Sequence, residues 1–249
     1  MFDLPKKLLK NLARNCGYRI ARLDNTQFFD FDALLYFQLA RSSDFRFVQI
    51  GACDGMSFDP IYPFVTRNHG RLRGLVVEPL PDLFVQLQHN YRNHPRIVAV
   101  NCAIHNTEKE MTLHRVDPAQ AEGLPEWVKG IASFSYQHHE LTGIPANVIV
   151  GQKVTCMTLS DLMAAHQFSS LDLLQIDTEG YDSEIILGID FRVLTPTIIR
   201  FEHGLHVGTM SSEAFECVAE KLHQNGYELV IEASDVIAFQ RNITRNLNR

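Results

Sequence analysis

From residue 46 onward the chain alternates short apolar runs with amphipathic stretches, and this alternation restricts its fold more than any other feature. Runs at 47–50, 74–77, 97–101, 171–176 and 197–201 read as strands. Helical spacing fills 60–68, 83–94, 159–166 and 183–188 between them. Strands separated by helices must run parallel, joined by crossovers. The end of the chain differs: a helix at 211–225 leads into strands at 227–231 and 236–240, with a turn between them. The expected architecture is α/β, a doubly wound, mostly parallel sheet closed by a C-terminal antiparallel hairpin.

Residues 44–241 form the expected domain, 1–43 an N-terminal helical extension and 242–249 a tail. Leu4, Leu8 and Leu12 stand at helical spacing, 18–23 reads as a short strand and 31–41 as a second helix. Residues 5–22 carry six Lys or Arg and no acid. That first helix either docks on the domain or makes weak peripheral contact with an anionic membrane surface. With 249 residues and 45% hydrophobic side chains, the chain can bury a large core without metal or disulfide staples. It holds no apolar window long enough to span a bilayer, and no signal-peptide run follows Lys6, Lys7 and Lys10, so a cytoplasmic location is expected. A net charge of -6 disfavours nucleic acid as a partner. The five widely spaced cysteines read as reduced thiols.

Ligands of open α/β sheets bind beyond the carboxyl ends of the strands. After the first strand comes Gly51-Ala52-Cys53-Asp54-Gly55, where glycines allow a tight turn and close approach to a ligand. The loop is a poor dinucleotide fingerprint, because Cys53 and Met56 occupy the later glycine positions of GxGxxG. The second strand ends in Glu78-Pro79, and a carboxylate there can accept both hydroxyls of a ribose. Ribose recognition without a diphosphate loop points to a nucleoside cofactor, and S-adenosylmethionine meets that description. Small residues at Cys102 and Ala103 leave room for an adenine ring, with Ile104 to pack on it. The fourth strand delivers Asp177 and Glu179, and the fifth delivers Glu202 and His203. An apolar strand that ends in acids either caps the next helix or presents them to a ligand. A histidine beside a strand-end glutamate is a general-base candidate.

In their order and spacing, IGACDG, VVEP, NCAI, LLQIDTEGYDSEIILG, IRFEHG and NGYELV…DVIAFQR resemble the FkbM-type family of S-adenosylmethionine-dependent methyltransferases, from about Phe47 to Arg241. The resemblance implies a Rossmann-like sheet of seven strands and O-methylation of a hydroxyl on a sugar or secondary metabolite. It places Gly51, Ala52, Asp54 and Gly55 at the methionine end of the cofactor, with Gln49 and Asp177 beside them. It places Glu78 and Pro79 at the ribose, and Cys102 and Ala103 at the adenine. Gln49 stands where the family often has aspartate, so it can hydrogen-bond but brings no negative charge. Ser133 and Ser135 fall in a segment, 129–139, where such proteins carry loops near the substrate.

In-line methyl transfer needs alignment of the acceptor and exclusion of water, and a positioned base helps a hydroxyl attack. His203 or Glu179 is the expected base, with Asp177 and Glu202 positioning it or the substrate. A divalent cation on Asp177, Glu179 and Glu202 would be a rival device, but a further ligand such as a strand-end Asp-Asn pair is missing and no metal is assigned. Two other classes remain: a cofactor-binding module without catalysis, supported by Gln49, and an NAD(P)-dependent nucleotide-sugar oxidoreductase, disfavoured by the missing GxGxxG. A small-molecule or glycan hydroxyl is the expected acceptor.

Overall fold

The computed structural model describes residues 29–241 and Ile243. The basic helix and short strand expected before residue 29, and nearly all of the expected tail, lie outside the described residues.

A seven-stranded sheet forms the centre. Its strands are β1 (Phe45–Ile50), β2 (Leu72–Val77), β3 (Ile97–Val100), β8 (Leu173–Ile176), β9 (Ile198–Glu202), β10 (Tyr227–Ile231) and β11 (Asp235–Gln240). Their spatial order is β10-β11-β9-β8-β1-β2-β3. β1 pairs in parallel with both β2 and β8, while β11 runs antiparallel between β9 and β10. The expected hairpin is therefore present, with its second strand inserted inward. The first two strands begin earlier than the apolar runs imply, at Phe45 and Leu72.

Alternation of side chains along each strand splits the core in two. Phe45 and Phe47 pack on one face with Leu35 and Leu39 of α1 (Phe31–Arg41), Phe64 of α2 (Tyr62–Asn68) and Leu87 of α3 (Pro81–Tyr91). Val48 and Ile50 pack on the other. Leu162 of α5 (Leu159–Ala165), Ile186 of α6 (Asp182–Gly188) and Leu222 of α7 (Ser212–Gln224) cover that face. Parallel strands covered on both sides are near-continuous apolar runs, which is why β1 and β8 stand out in the sequence.

The sequence reading has no counterpart for a second, four-stranded sheet. It comprises β4 (Ala103–Ile104), β5 (Glu110–Val116), β6 (Ala132–Ser133) and β7 (Ile149–Met157), ordered β4-β7-β5-β6. The bidentate Arg115–Asp82 pair, at 2.5 and 2.9 Å, ties it to α3. The β6 pairing carries the segment leading into α4 (His138–Thr142) over the carboxyl ends of the central strands. Among the described residues, no helix is long and apolar enough to cross a membrane, and Cys53, Cys102, Cys156 and Cys217 are free thiols.

Candidate active site

A cavity of about 460 Å³ opens at the carboxyl ends of β2, β1, β8 and β9, within the range of small-molecule sites. The loop after β1 forms one wall. Gly51 and Ala52 donate their N–H groups to Val77 O at 3.0 and 2.9 Å, which bends the chain back over β2. Gly51 has φ +78°, and a Cβ on it would meet Asp177 O at 1.7 Å. Asp54 lines the cavity, and its carboxylate accepts from Met56 N, Ser57 N and Ser57 Oγ. Partial burial opposes that charge, but the Ser57 and Met56 hydrogen bonds outweigh it and hold the pKa below the ordinary value.

Glu78 faces the bend. Its Oε2 accepts from Cys53 N at 2.9 Å and its Oε1 from Leu80 N at 2.8 Å, while Asn101 Nδ2 fixes the carbonyls of Glu78 and Pro79. Burial pushes its pKa up to about 8 against these donors. Each carboxylate oxygen can accept more than one hydrogen bond, so Glu78 can still take ribose hydroxyls from the cavity. Pro79, Cys102 and Ala103 line the same end, and Leu83, Ile104 and Leu113 complete an apolar slot beside them. Burial raises the Cys102 thiol to about 12, so it stays neutral.

The opposite end is acidic. Asp177, Glu179 and Glu202 line it, with Gln49 and Gln175 between the strands. Asp177 is exposed to the open cavity; desolvation by the protein packed around it and the neighbouring Glu179, Asp182 and Glu202 push its pKa well above the carboxylate range. Burial, with Glu179 and Asp182 nearby, lifts Glu202 to about 8. Helix capping does not explain these acids. The helix that follows has no side-chain cap, and the acid at its start, Asp182, instead ties the loop to β9: its Oδ2 accepts from Thr178 N and Thr178 Oγ1 and its Oδ1 from Glu202 N. Gln49 Nε2 donates to Asp59 Oδ2 at 3.1 Å, so a carboxyl ten residues on faces the amide that replaces aspartate.

Glu179 is held from two sides. Its φ is +54°, and Ser133 Oγ donates to its carbonyl at 2.7 Å. Its Oε2 lies 2.9 Å from His138 Nε2, and His138 also lines the cavity. His138 is the residue that sequence reasoning missed; its one signal was its place in the 129–139 segment.

Four expected site residues are placed elsewhere. His203 does not line the cavity: Nδ1 accepts from Leu205 N at 3.1 Å and Nε2 bonds Glu232 O at 3.1 Å, so no free basic nitrogen remains. Ser133 and Ser135 also lie off the wall; Ser133 braces Glu179, and Ser135 bonds Ser133 and Gln137. Gly55 is a packing glycine, since a Cβ on it would meet Leu87 Cδ1 at 2.3 Å. The rival cation site does not form either. Among the described residues, no group of three or more His, Cys, Asp or Glu could hold a metal ion, and Glu179 is already paired with His138.

A three-layer α/β sheet with its cavity between a glycine bend, a strand-two glutamate and strand-end acids defines a Rossmann-like methyltransferase. The methyltransferase FkbM domain matches residues 49–229, and the chain belongs to that family, whose methyl donor is S-adenosylmethionine. Among curated proteins none matches it in sequence. Similar solved structures include an O-methyltransferase from Bacillus cereus in complex with SAH (10% identity, TM-score 0.42), covering 94% of this chain and 88% of that one. The human methyltransferase 10 domain containing protein is 12% identical, with TM-score 0.41 and coverages of 94% and 97%. The Methanococcus jannaschii fibrillarin pre-rRNA processing protein is 12% identical, with TM-score 0.41; the match covers 79% of this chain and 66% of that one. Likenesses of this size carry no argument about substrate.

The side chains present fit the donor. Glu78 would hold the ribose, and Ala103 and Ile104 the adenine. The Asp177 carboxyl and the Gln49 amide, whose Oε1 has no partner, would face its cationic end, where a positive charge favours the ionised form of the acid.

Proposed function

We propose that this methyltransferase acts on a hydroxyl oxygen, carried by a sugar or another hydroxylated small molecule or glycan. The observation that carries the reading is the His138–Glu179 pair, 2.9 Å apart on the cavity wall beside Asp177. A neutral hydroxyl attacks poorly until its proton has somewhere to go. Glu179 is the base in this reading, taking the hydroxyl proton as the new C–O bond forms. His138 is a positioning residue: with Nε2–H donated to Oε2, it fixes the carboxylate and leaves Oε1 for the acceptor. S-adenosylmethionine supplies the methyl group from a positively charged sulfur. The apolar wall of Ile104, Leu113 and Phe134 keeps water away from the transfer.

The test is transfer of a labelled methyl group to a panel of sugars and polyols, with the product located by NMR. Methyl ethers are expected. Products methylated only on nitrogen or carbon would overturn the reading.

A further inference from the structure

The acidic end of the cavity divides into two parts. Glu78 lies at the end of β2 and Glu202 at the end of β9, with β1 and β8 between those strands. Three strand spacings separate them, about 14 Å. A donor with its ribose at Glu78 and its sulfur near β1 and β8 leaves Glu202 on the acceptor's side. The Glu202 carboxyl makes no hydrogen bond or ion pair among the described residues, and its backbone N–H donates to Asp182. On β8, in register with Arg200 two residues before Glu202, Gln175 is 1% exposed, lines the cavity, and its Oε1 has no partner. The cations near these groups are already committed to other acids. Lys129 is the one Lys or Arg on the cavity wall among the described residues, and it pairs with Glu126 at 2.8 Å. Arg200 pairs in register with Gln175 and its charge bears on Glu202, but its guanidinium is held by Asp235 at 2.6 Å and lies off the wall.

We propose that Glu202 and Gln175 form a subsite for a protonated amino group on the methyl acceptor, which makes the acceptor an amino alcohol such as an amino sugar or aminocyclitol. The inference rests on the hydroxyl-transfer reading. A hydroxyl could satisfy the Gln175 oxygen and hydrogen-bond a neutral Glu202, but it gives nothing that draws Glu202 into its ionised form. An ammonium supplies several N–H donors and a counter-charge at once. The same contacts fix the site of methylation: an amine held as ammonium has no lone pair, so the neighbouring hydroxyl is left as the nucleophile.

The experiment is titration calorimetry on the SAH-saturated protein with matched pairs: glucosamine and glucose, and a diamino-cyclitol and inositol. The amine of at least one pair should bind about tenfold or more tightly than its neutral partner. In Glu202→Gln that preference should fall to near unity with SAH affinity retained, which shows that the fold and donor site are intact. Equal binding within both pairs, no binding by any member, or a preference that survives Glu202→Gln would overturn the subsite. Labelled transfer separates the two ideas. Methyl ethers on neutral sugars without an amine preference keep hydroxyl transfer and discard the subsite. A Glu202-dependent amine preference with the methyl group found on a second nitrogen keeps the subsite and discards hydroxyl transfer, whereas methylation of the sole amine of glucosamine discards both.

Discussion

His138 Nε2 stands 2.9 Å from Glu179 Oε2, although 41 positions separate the two residues in sequence. Their meeting depends on the small sheet, which brings the 129–139 segment back over the end of β8. If Glu179 is the base, Glu179→Gln should lower kcat by about 10²–10⁴-fold while SAH affinity changes little. His138→Asn should lower kcat less, because the carboxylate remains and only its orientation is lost. Stopped-flow or steady-state transfer, paired with calorimetry of SAH binding, checks both. A fully active Glu179→Gln protein would remove Glu179 from the reaction.

Glu78 holds the donor loop as well as facing the ribose. Its two oxygens satisfy Cys53 N and Leu80 N, so Glu78→Ala leaves two backbone donors short of partners. Each such group costs about 1–3 kcal/mol when enclosed. Glu78→Ala should therefore lose both SAH affinity, by about tenfold or more, and stability to urea. Glu78→Gln keeps one acceptor oxygen and should be intermediate in both measurements. Unchanged SAH binding in Glu78→Ala would show that the ribose lies elsewhere.

Most of the central sheet was legible in the sequence because its strands are buried on both faces. The runs at 47–50 and 171–176 are largely apolar and leave few competing readings. The inward insertion of β11 was not legible, since partner choice between strands is a long-range matter. Nor was the small sheet: Glu110–Val116 and Ile149–Met157 are partly exposed strands interrupted by polar residues, which weakens their periodicity. The site divides the same way. Loop 51–55, Glu78 and the strand-end acids follow from strand order alone. His203 looked catalytic because it adjoins Glu202, but hydrogen bonds to Leu205 and Glu232 consume its ring. His138 reaches the cavity only through the tertiary fold, which no local spacing reports.

The buried acids set a pH dependence of stability in the donor-free protein. Glu78 and Glu202 are both pushed up to about 8 from an ordinary 4.5, mainly by burial. Between those values the folded state keeps protons that the unfolded chain has released, so stability falls as pH rises. The contribution is complete below about 4.5 and is lost through about 8. Asp54 and Asp82, with lowered pKa values, act in the opposite direction but at more acidic pH, below about 4. Urea midpoints between pH 5 and 9 should therefore decline. The decline should be shallower in Glu202→Gln, which cannot ionise at that position. A wild-type slope that Glu202→Gln leaves unaltered would place the Glu202 pKa near its ordinary value.

The tight approach of the donor loop to β8 makes Gly51 the most sensitive glycine of the site. Its φ is +78°, and a Cβ there would stand 1.7 Å from the backbone oxygen of Asp177. Asp177 N also donates to Ile50 O at 3.0 Å, so the two chains cannot separate without breaking the end of the β1–β8 ladder. Gly51→Ala should cost about 3 kcal/mol or more, and SAH binding should fall with it. Gly70 supplies the comparison, because a Cβ there meets nothing within 4 Å and its φ is not left-handed. Gly70→Ala should change stability by less than about 1 kcal/mol and leave SAH affinity intact. Urea unfolding of the two variants, read with calorimetry, decides the point: equal losses would mean that the bend at Gly51 can relax away from Asp177.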